Sequence, residues 1–220
     1  MQREISTLEK IEIRKFRSVE ELDEAMIMRC NELKNHSGFK NLEYDIEIFA
    51  GRNVFTNGDA WGAFNLKGEA VALTLAFDLM FEPYESSNSQ QKRNKNSILK
   101  RQWARKFLNS KPGEYCYVGY AVARNDYRRL NLVTQIIQNI KDDLTKNSSF
   151  NHLIGIGVSR EGFLCLKNFG FKILQFQGAQ GEDDKNEYYN GGEMKKGMAF
   201  SVLQIYNLDK KKESNYDAKL

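Results

Sequence analysis

The residues most able to do chemistry sit together in one strand–turn–helix segment, residues 114–144 (EYCYVGYAVARNDYRRLNLVTQIIQNIKDDL). Arg128 and Arg129 fall in the polar turn, just before the helix begins. The first N–H groups of a helix have no intrahelical acceptor and carry the positive end of its dipole. Two arginines at that point make an anion site suited to a pyrophosphate. The plainer reading is a solvated Arg-Arg turn. The segment has neither the lysine of a Walker motif nor a GxGxxG run. Elsewhere reactive side chains are sparse. Cys30, Cys116 and Cys165 are far apart with no CxxC spacing, and Cys116 and Cys165 read as core residues. His36 and His152 lie at element ends with no carboxylate at ligand spacing, so no metal site is expected.

Hydrophobic periodicity supplies the elements that must hold this segment. IEIRKF (11–16) alternates as a half-buried strand, and Ser18 with Glu21 forms a capping box that opens an amphipathic helix on Leu22, Ala25, Met26, Arg29 and Leu33. Two strands, 60–66 and 69–80, flank the Lys67-Gly68 turn. A polar stretch at 82–97 and a helix at 98–109 follow. Beyond the strand at 114–123 come a helix at 132–144, a strand at 152–159, a short helix at 160–169 ended by Gly170, and strands at 171–176 and 197–208. A phase switch between Val202 and Leu203 suggests a bulge. The order predicts a mixed α/β sheet. One domain is expected over 1–208, with an insertion at 82–112 and a charged tail at 209–220.

Composition removes several classes. Twenty-six aromatic residues supply a core, which excludes disorder along the whole length. No apolar run approaches the roughly 20 residues of a membrane helix, and the N-terminus lacks the apolar centre of a secretory signal. With three scattered cysteines, a cytoplasmic location is the expectation. Net charge is only +4, but residues 92–106 are strongly basic. A solvated helix face is preferred there over a nucleic-acid surface. Were the insertion to wall an acceptor site, it would carry Lys92, Arg93, Lys100, Arg101, Arg105 and Lys106 toward the entrance, with Trp103 and Phe107 facing inward.

Two stretches carry a family resemblance. VARNDYRRLNLVTQII resembles the acetyl-CoA motif of the GCN5-related N-acetyltransferases (GNAT), Gln/Arg-x-x-Gly-x-Gly/Ala, here Arg128-Arg129-Leu130-Asn131-Leu132-Val133. SREGFLCLKNFGFKIL resembles the second signature, Asn-x-x-Ala-x-x-Leu-Tyr-x-x-x-Gly-Phe, with Ser159, Gly162, Cys165, Leu166, Gly170 and Phe171 on its named positions. The strand order over roughly 11–208 agrees. The resemblance implies a mixed, mostly antiparallel sheet flanked by helices, with the insertion between strands 3 and 4.

It also implies acetyl-CoA, or another acyl-CoA, as co-substrate. Phosphates would be held by the N–H groups of Leu130, Asn131, Leu132, Val133 and Thr134, by the Thr134 hydroxyl and by Arg128 and Arg129. Val122 and Ala123 at the strand end and Ser159 complete the implied cofactor residues, with an N–H near Val122 directed at the thioester oxygen. Asn131 and Val133 replace small residues of the loop. Asn tolerates the left-handed conformation, whereas branched Val133 is expected to crowd the phosphates. Leu166 stands where the family often has a tyrosine acid, and Tyr117 or Glu114 lies nearest the usual base. The activity implied is N-acylation of a primary amine on a small molecule or protein, with a homodimer left open. A non-catalytic acyl-CoA-binding or regulatory module and a carrier-protein-dependent acyltransferase are the alternatives.

Overall fold

The computed structural model describes residues 10–34, 43–84, 95–178, 189–190, 193–194 and 200–208. The first alternating stretch forms β1 (Glu12–Lys15), and Ser18 caps α1 (Val19–Leu33) by accepting the Glu21 N–H at 3.3 Å. The Glu21 carboxylate in turn accepts from the Arg17 N–H and from both Arg14 Nη atoms, which ties strand to helix. α2 (Tyr44–Asn57) then packs across α1. A Cβ on Gly51 would lie 2.9 Å from Met26 Cγ, so the two helices meet at a distance only glycine permits there. Sequence reading leaves 39–59 unassigned. Glu43 provides no side-chain cap, Ile46 and Ile48 alternate like a strand, and the charged Glu47 occupies the buried face.

β2 (Asp59–Phe64) and β3 (Ala70–Asp78) form the expected hairpin. β3 is buried on both faces: Leu73, Leu75 and Phe77 pack toward α1 and α2, and Ala72 and Ala76 toward the opposite layer. α3 (Lys95–Leu108) lies between β3 and β4 (Tyr115–Ala123). Its phase differs from the expectation. Arg101 and Ala104 are buried, Trp103 and Leu108 pack against Leu79 and Ile154, and Phe107 is 46% exposed. The turn after β4 is a 3-10 segment (Asn125–Leu130) leading into α4 (Leu132–Asn147), whose Ile136, Ile137, Ile140 and Leu144 cover the sheet. β5 (His152–Gly157), α5 (Arg160–Phe169) and β6 (Lys172–Gly178) follow. Gly170 terminates α5 at φ 109°. Short β7 (Tyr189–Asn190) and β8 (Glu193–Met194) pair with each other, and β9 (Phe200–Asn207) returns to the main sheet.

The main sheet has seven strands in the order β1-β2-β3-β4-β5-β9-β6 and is antiparallel except at β4–β5. The bulge expected at 202–203 falls on the neighbouring strand. Ile173 pairs with Gln204 and Gln175 with Leu203, so the extra residue is Leu174 of β6. β9 lies between two strands, with Leu203 and Gln204 both fully buried, so its phase switch reflects burial on both faces. His36, Lys92, Arg93 and the tail 209–220 lie outside the described residues.

Candidate functional site

The parallel β4–β5 ladder runs only from Tyr115↔His152 to Val118↔Gly155, although β4 continues to Ala123 and β5 to Gly157. The cause lies in β4. Leu75 pairs with Gly119 and Leu73 with Val122, leaving Tyr120 and Ala121 opposite Thr74 alone. This bulge puts Tyr120 at φ 57°, the left-handed region that costs a non-glycine residue about 1–3 kcal/mol. Beyond Val118 the two strand edges diverge, and a cavity of about 700 Å³ opens between them.

One end of the cavity is built on the start of α4. Asn131 caps that helix in the left-handed conformation (φ 54°, ψ 29°), the tolerance its residue type was expected to supply. Asn131, Leu132, Val133 and Thr134 line the cavity together with Arg128. Arg128 is held by Glu32 of α1 at 2.9 Å. Val133 lines the cavity and also packs against the core cluster that holds Ile136 and Ile137. From the other strand edge come Gly157, Ser159 and Gly162; the Ser159 hydroxyl caps α5 by accepting the Gly162 N–H at 3.1 Å. Thr134 Oγ1 lies 3.6 Å from Cys165 Sγ, and burial raises the Cys165 thiol pKa, which disfavours a thiolate.

Of the residues singled out in the sequence, the structure thus brings Val122, Ala123, Arg128, Asn131, Leu132, Val133, Thr134 and Ser159 onto one cavity, with Tyr117 beside them. It does not bring Arg129, Leu130 or Glu114. Arg129 is exposed, and Leu130 leans on the core. Glu114 precedes the closed end of the ladder, accepts the Lys111 N–H at 3.2 Å and lines a separate groove with Leu108 and Asn151.

Tyr117 lines the cavity where the strands part. A Cβ on Gly119 would fall 2.3 Å from the Tyr117 ring and 2.8 Å from its hydroxyl, so the phenol folds back over the Gly119 backbone, where the strands part. Burial raises its pKa, against the pull of Arg101 and Arg29. The phenol therefore stays protonated at neutral pH. In that form it can give a proton but is poorly suited to take one. Leu166 packs over Gly155, where a Cβ would meet its Cδ1 at 2.5 Å, and offers no proton.

Three helices complete the other end, and of these only α2 was missed in the sequence. Arg29 of α1 donates from Nε to the Tyr120 carbonyl at 3.1 Å, pinning the bulge. Its Nη1 pairs with buried Glu47 of α2 at 2.8 Å, and Glu47 also accepts the Tyr84 hydroxyl at 3.1 Å. α3 contributes Lys100 and Arg101. Arg29 sat on the apolar stripe of α1 at core spacing, the one signal that marked it. His152 is occupied structurally, with Nδ1 2.9 Å from Asn207 Oδ1 and its ring stacked on Tyr115. Among the described residues no group of three metal-binding side chains occurs, and no helix is long and apolar enough to cross a membrane.

This architecture is that of the GNAT fold, and the chain is a divergent example of it. It is similar to a Drosophila melanogaster polyamine N-acetyltransferase that forms N-acetylagmatine, at 13% identity over 90% of this chain and 100% of that one, with a TM-score of 0.61. It is similar to a GNAT-family acetyltransferase from Streptococcus pneumoniae, at 11% identity over 90% and 99%, TM-score 0.54. A third likeness is to Arabidopsis thaliana NAA60 in complex with acetyl-CoA, at 13% identity over 90% and 99%, TM-score 0.53. No protein-family model and no curated protein matches the sequence.

Proposed function

We propose that this protein transfers an acyl group, in the first instance acetyl, from acyl-CoA to a primary amine. The observation that carries the reading is the cavity through the parted β4–β5 seam, with the α4 N-terminus at one end and a protonated tyrosine beside it.

The residues fit an acyl-CoA. The N-terminus of α4 and Arg128 suit a pyrophosphate. The open edges of β4 and β5 present backbone groups to an extended arm that itself carries amides, in the manner of an added strand. When bound, the co-substrate supplies an activated acyl thioester. The protein's part is to orient it and to move one proton. A neutral amine needs no strong base, and proximity alone can supply up to about 7–11 kcal/mol of such a barrier. As the N–C bond forms and the C–S bond breaks, Tyr117 gives its hydroxyl proton to the departing sulfur. It recovers one from the amine nitrogen, so the thiol and the amide leave with all atoms balanced.

Calorimetry with CoA and acetyl-CoA tests the binding half. Arg128→Ala should weaken CoA about tenfold, the worth of one charge-assisted contact. Arg129→Ala should leave it within about twofold, as expected of a solvated side chain. Thiol release over a panel of amines tests the chemistry. A folded protein that binds no CoA overturns the proposal. One that binds CoA and turns over no amine is the non-catalytic module that Leu166 first suggested.

A further inference from the structure

The cavity end between α1 and α3 has an unbalanced charge. Arg29 is matched by Glu47 at 2.8 Å. Arg101, only 1% exposed, pairs with Glu82, and Glu82 is shared with Arg105, whose Nη2 is 3.7 Å away. Lys100 has no carboxylate partner among the described residues, and burial lowers its pKa. The other titratable groups on this wall, Tyr84, Tyr117 and Tyr120, all have raised pKa values and stay neutral. One donor is also left over: Arg101 Nε is buried with no acceptor. Buried donors without acceptors are costly, and the group that best answers them is acceptor-only and anionic.

We infer that the α1–α3 end of the cavity is a carboxylate subsite, and that the acceptor is a primary amine bearing a carboxylate within a few atoms of its nitrogen, an amino acid or a close analogue. The inference rests on the acyl-transfer reading above. The anion must belong to the acceptor itself, because the wall that would hold it also surrounds Tyr117. Arg101 lies close enough to act on the Tyr117 phenol, and that phenol covers Gly119, where the strands part. The same excess of positive charge disfavours an ammonium in the site. It keeps the attacking nitrogen neutral and repels amines that carry a second cation. Arg and Lys together serve this role because the guanidinium fixes direction while the ammonium adds a mobile charge.

The test uses the full chain and matched amines that differ only in the carboxylate: phenylalanine against phenethylamine and β-alanine against ethylamine, with spermidine as the dication. Acetyl-CoA turnover should favour the carboxylate member by about tenfold in kcat/KM, the preference shrinking as salt rises. Lys100→Met should bring the ratio toward one through KM, and Lys100→Arg should restore it. Preference for phenethylamine or spermidine overturns the subsite. A second arm does not depend on turnover: calorimetry of N-acetylphenylalanine and N-acetylphenethylamine against the CoA-loaded protein. Equal binding of the pair overturns the subsite while leaving the acyl-transfer reading intact. Absence of CoA binding overturns both.

Discussion

At the scale of the residue, protonation decides role. Tyr117 and Glu114 both lie near the position where a base would be sought, but they face different surroundings. Glu114 turns toward the groove at the closed end of the β4–β5 ladder, and Tyr117 folds over Gly119 at its open end. Burial favours the protonated form of the Tyr117 phenol, and the role proposed for it is to donate. Tyr117→Phe should therefore lower kcat about 100-fold while CoA affinity changes little, since the ring that covers Gly119 remains. Stopped-flow acyl transfer and calorimetry read the two quantities separately. Equal losses in both would make Tyr117 a binding residue. Val133 illustrates the same dependence on surroundings. Its bulk was expected to crowd the phosphates, and it both lines the cavity and packs against the core beneath α4.

At the scale of the element, α1 connects the sheet edge to the site. Its N-terminus is tied to β1 through Glu21, which accepts from Arg14 at 2.9 and 3.0 Å, and its middle pins the β4 bulge through Arg29. The bonds from Arg14 hold the Glu21 carboxyl below its ordinary pKa. A depressed folded value means that the stabilisation is present above the unfolded carboxylate pKa near 4.3, and is lost as pH falls from there through the folded value. Glu21→Gln should cost about 1 kcal/mol at pH 6. The difference from wild type should fade in denaturant titrations as pH falls through the depressed folded pKa, below which both carry a neutral side chain. A difference that persists at low pH would mean that the loss is steric.

At the scale of the molecule, the site is the seam between two halves of the sheet. β1–β4 lie on one side and β5, β9 and β6 on the other, joined in the sheet by the short ladder from Tyr115 to Val118. A ligand lodged in the seam contacts both halves, so its binding energy adds directly to the folding free energy. CoA at about 100 times its Kd should stabilise by about 2.7 kcal/mol, a rise of about 5–10 °C in Tm for a chain this size. Thermal melts with and without CoA check this. Amide exchange should slow most at 119–123, on the open edge of β4. An unchanged melt at saturating CoA would place the ligand outside the seam.

Features encoded over short stretches were legible in the sequence: the Ser18 cap, the hairpin at Lys67-Gly68, the alternation of β4, the apolar stripe of α4, the left-handed Asn131 and the Gly170 stop. Each depends on neighbours within about one turn of chain, where propensity and capping act. These elements also carry the residues proposed to hold the phosphates, so their clustering at one end of the cavity followed from local signals. The other end was not. Arg29 meets the Tyr120 carbonyl across 91 positions of sequence, and Glu47 sits on a helix whose spacing resembles a strand and whose start lacks a side-chain cap. Arg101 was named either on a solvated basic face or on an acceptor wall, but nothing in the sequence marked it as almost fully buried. Only the tertiary structure decided these pairings, because a buried charge is stable where a distant partner comes to meet it, and no local pattern records that partner.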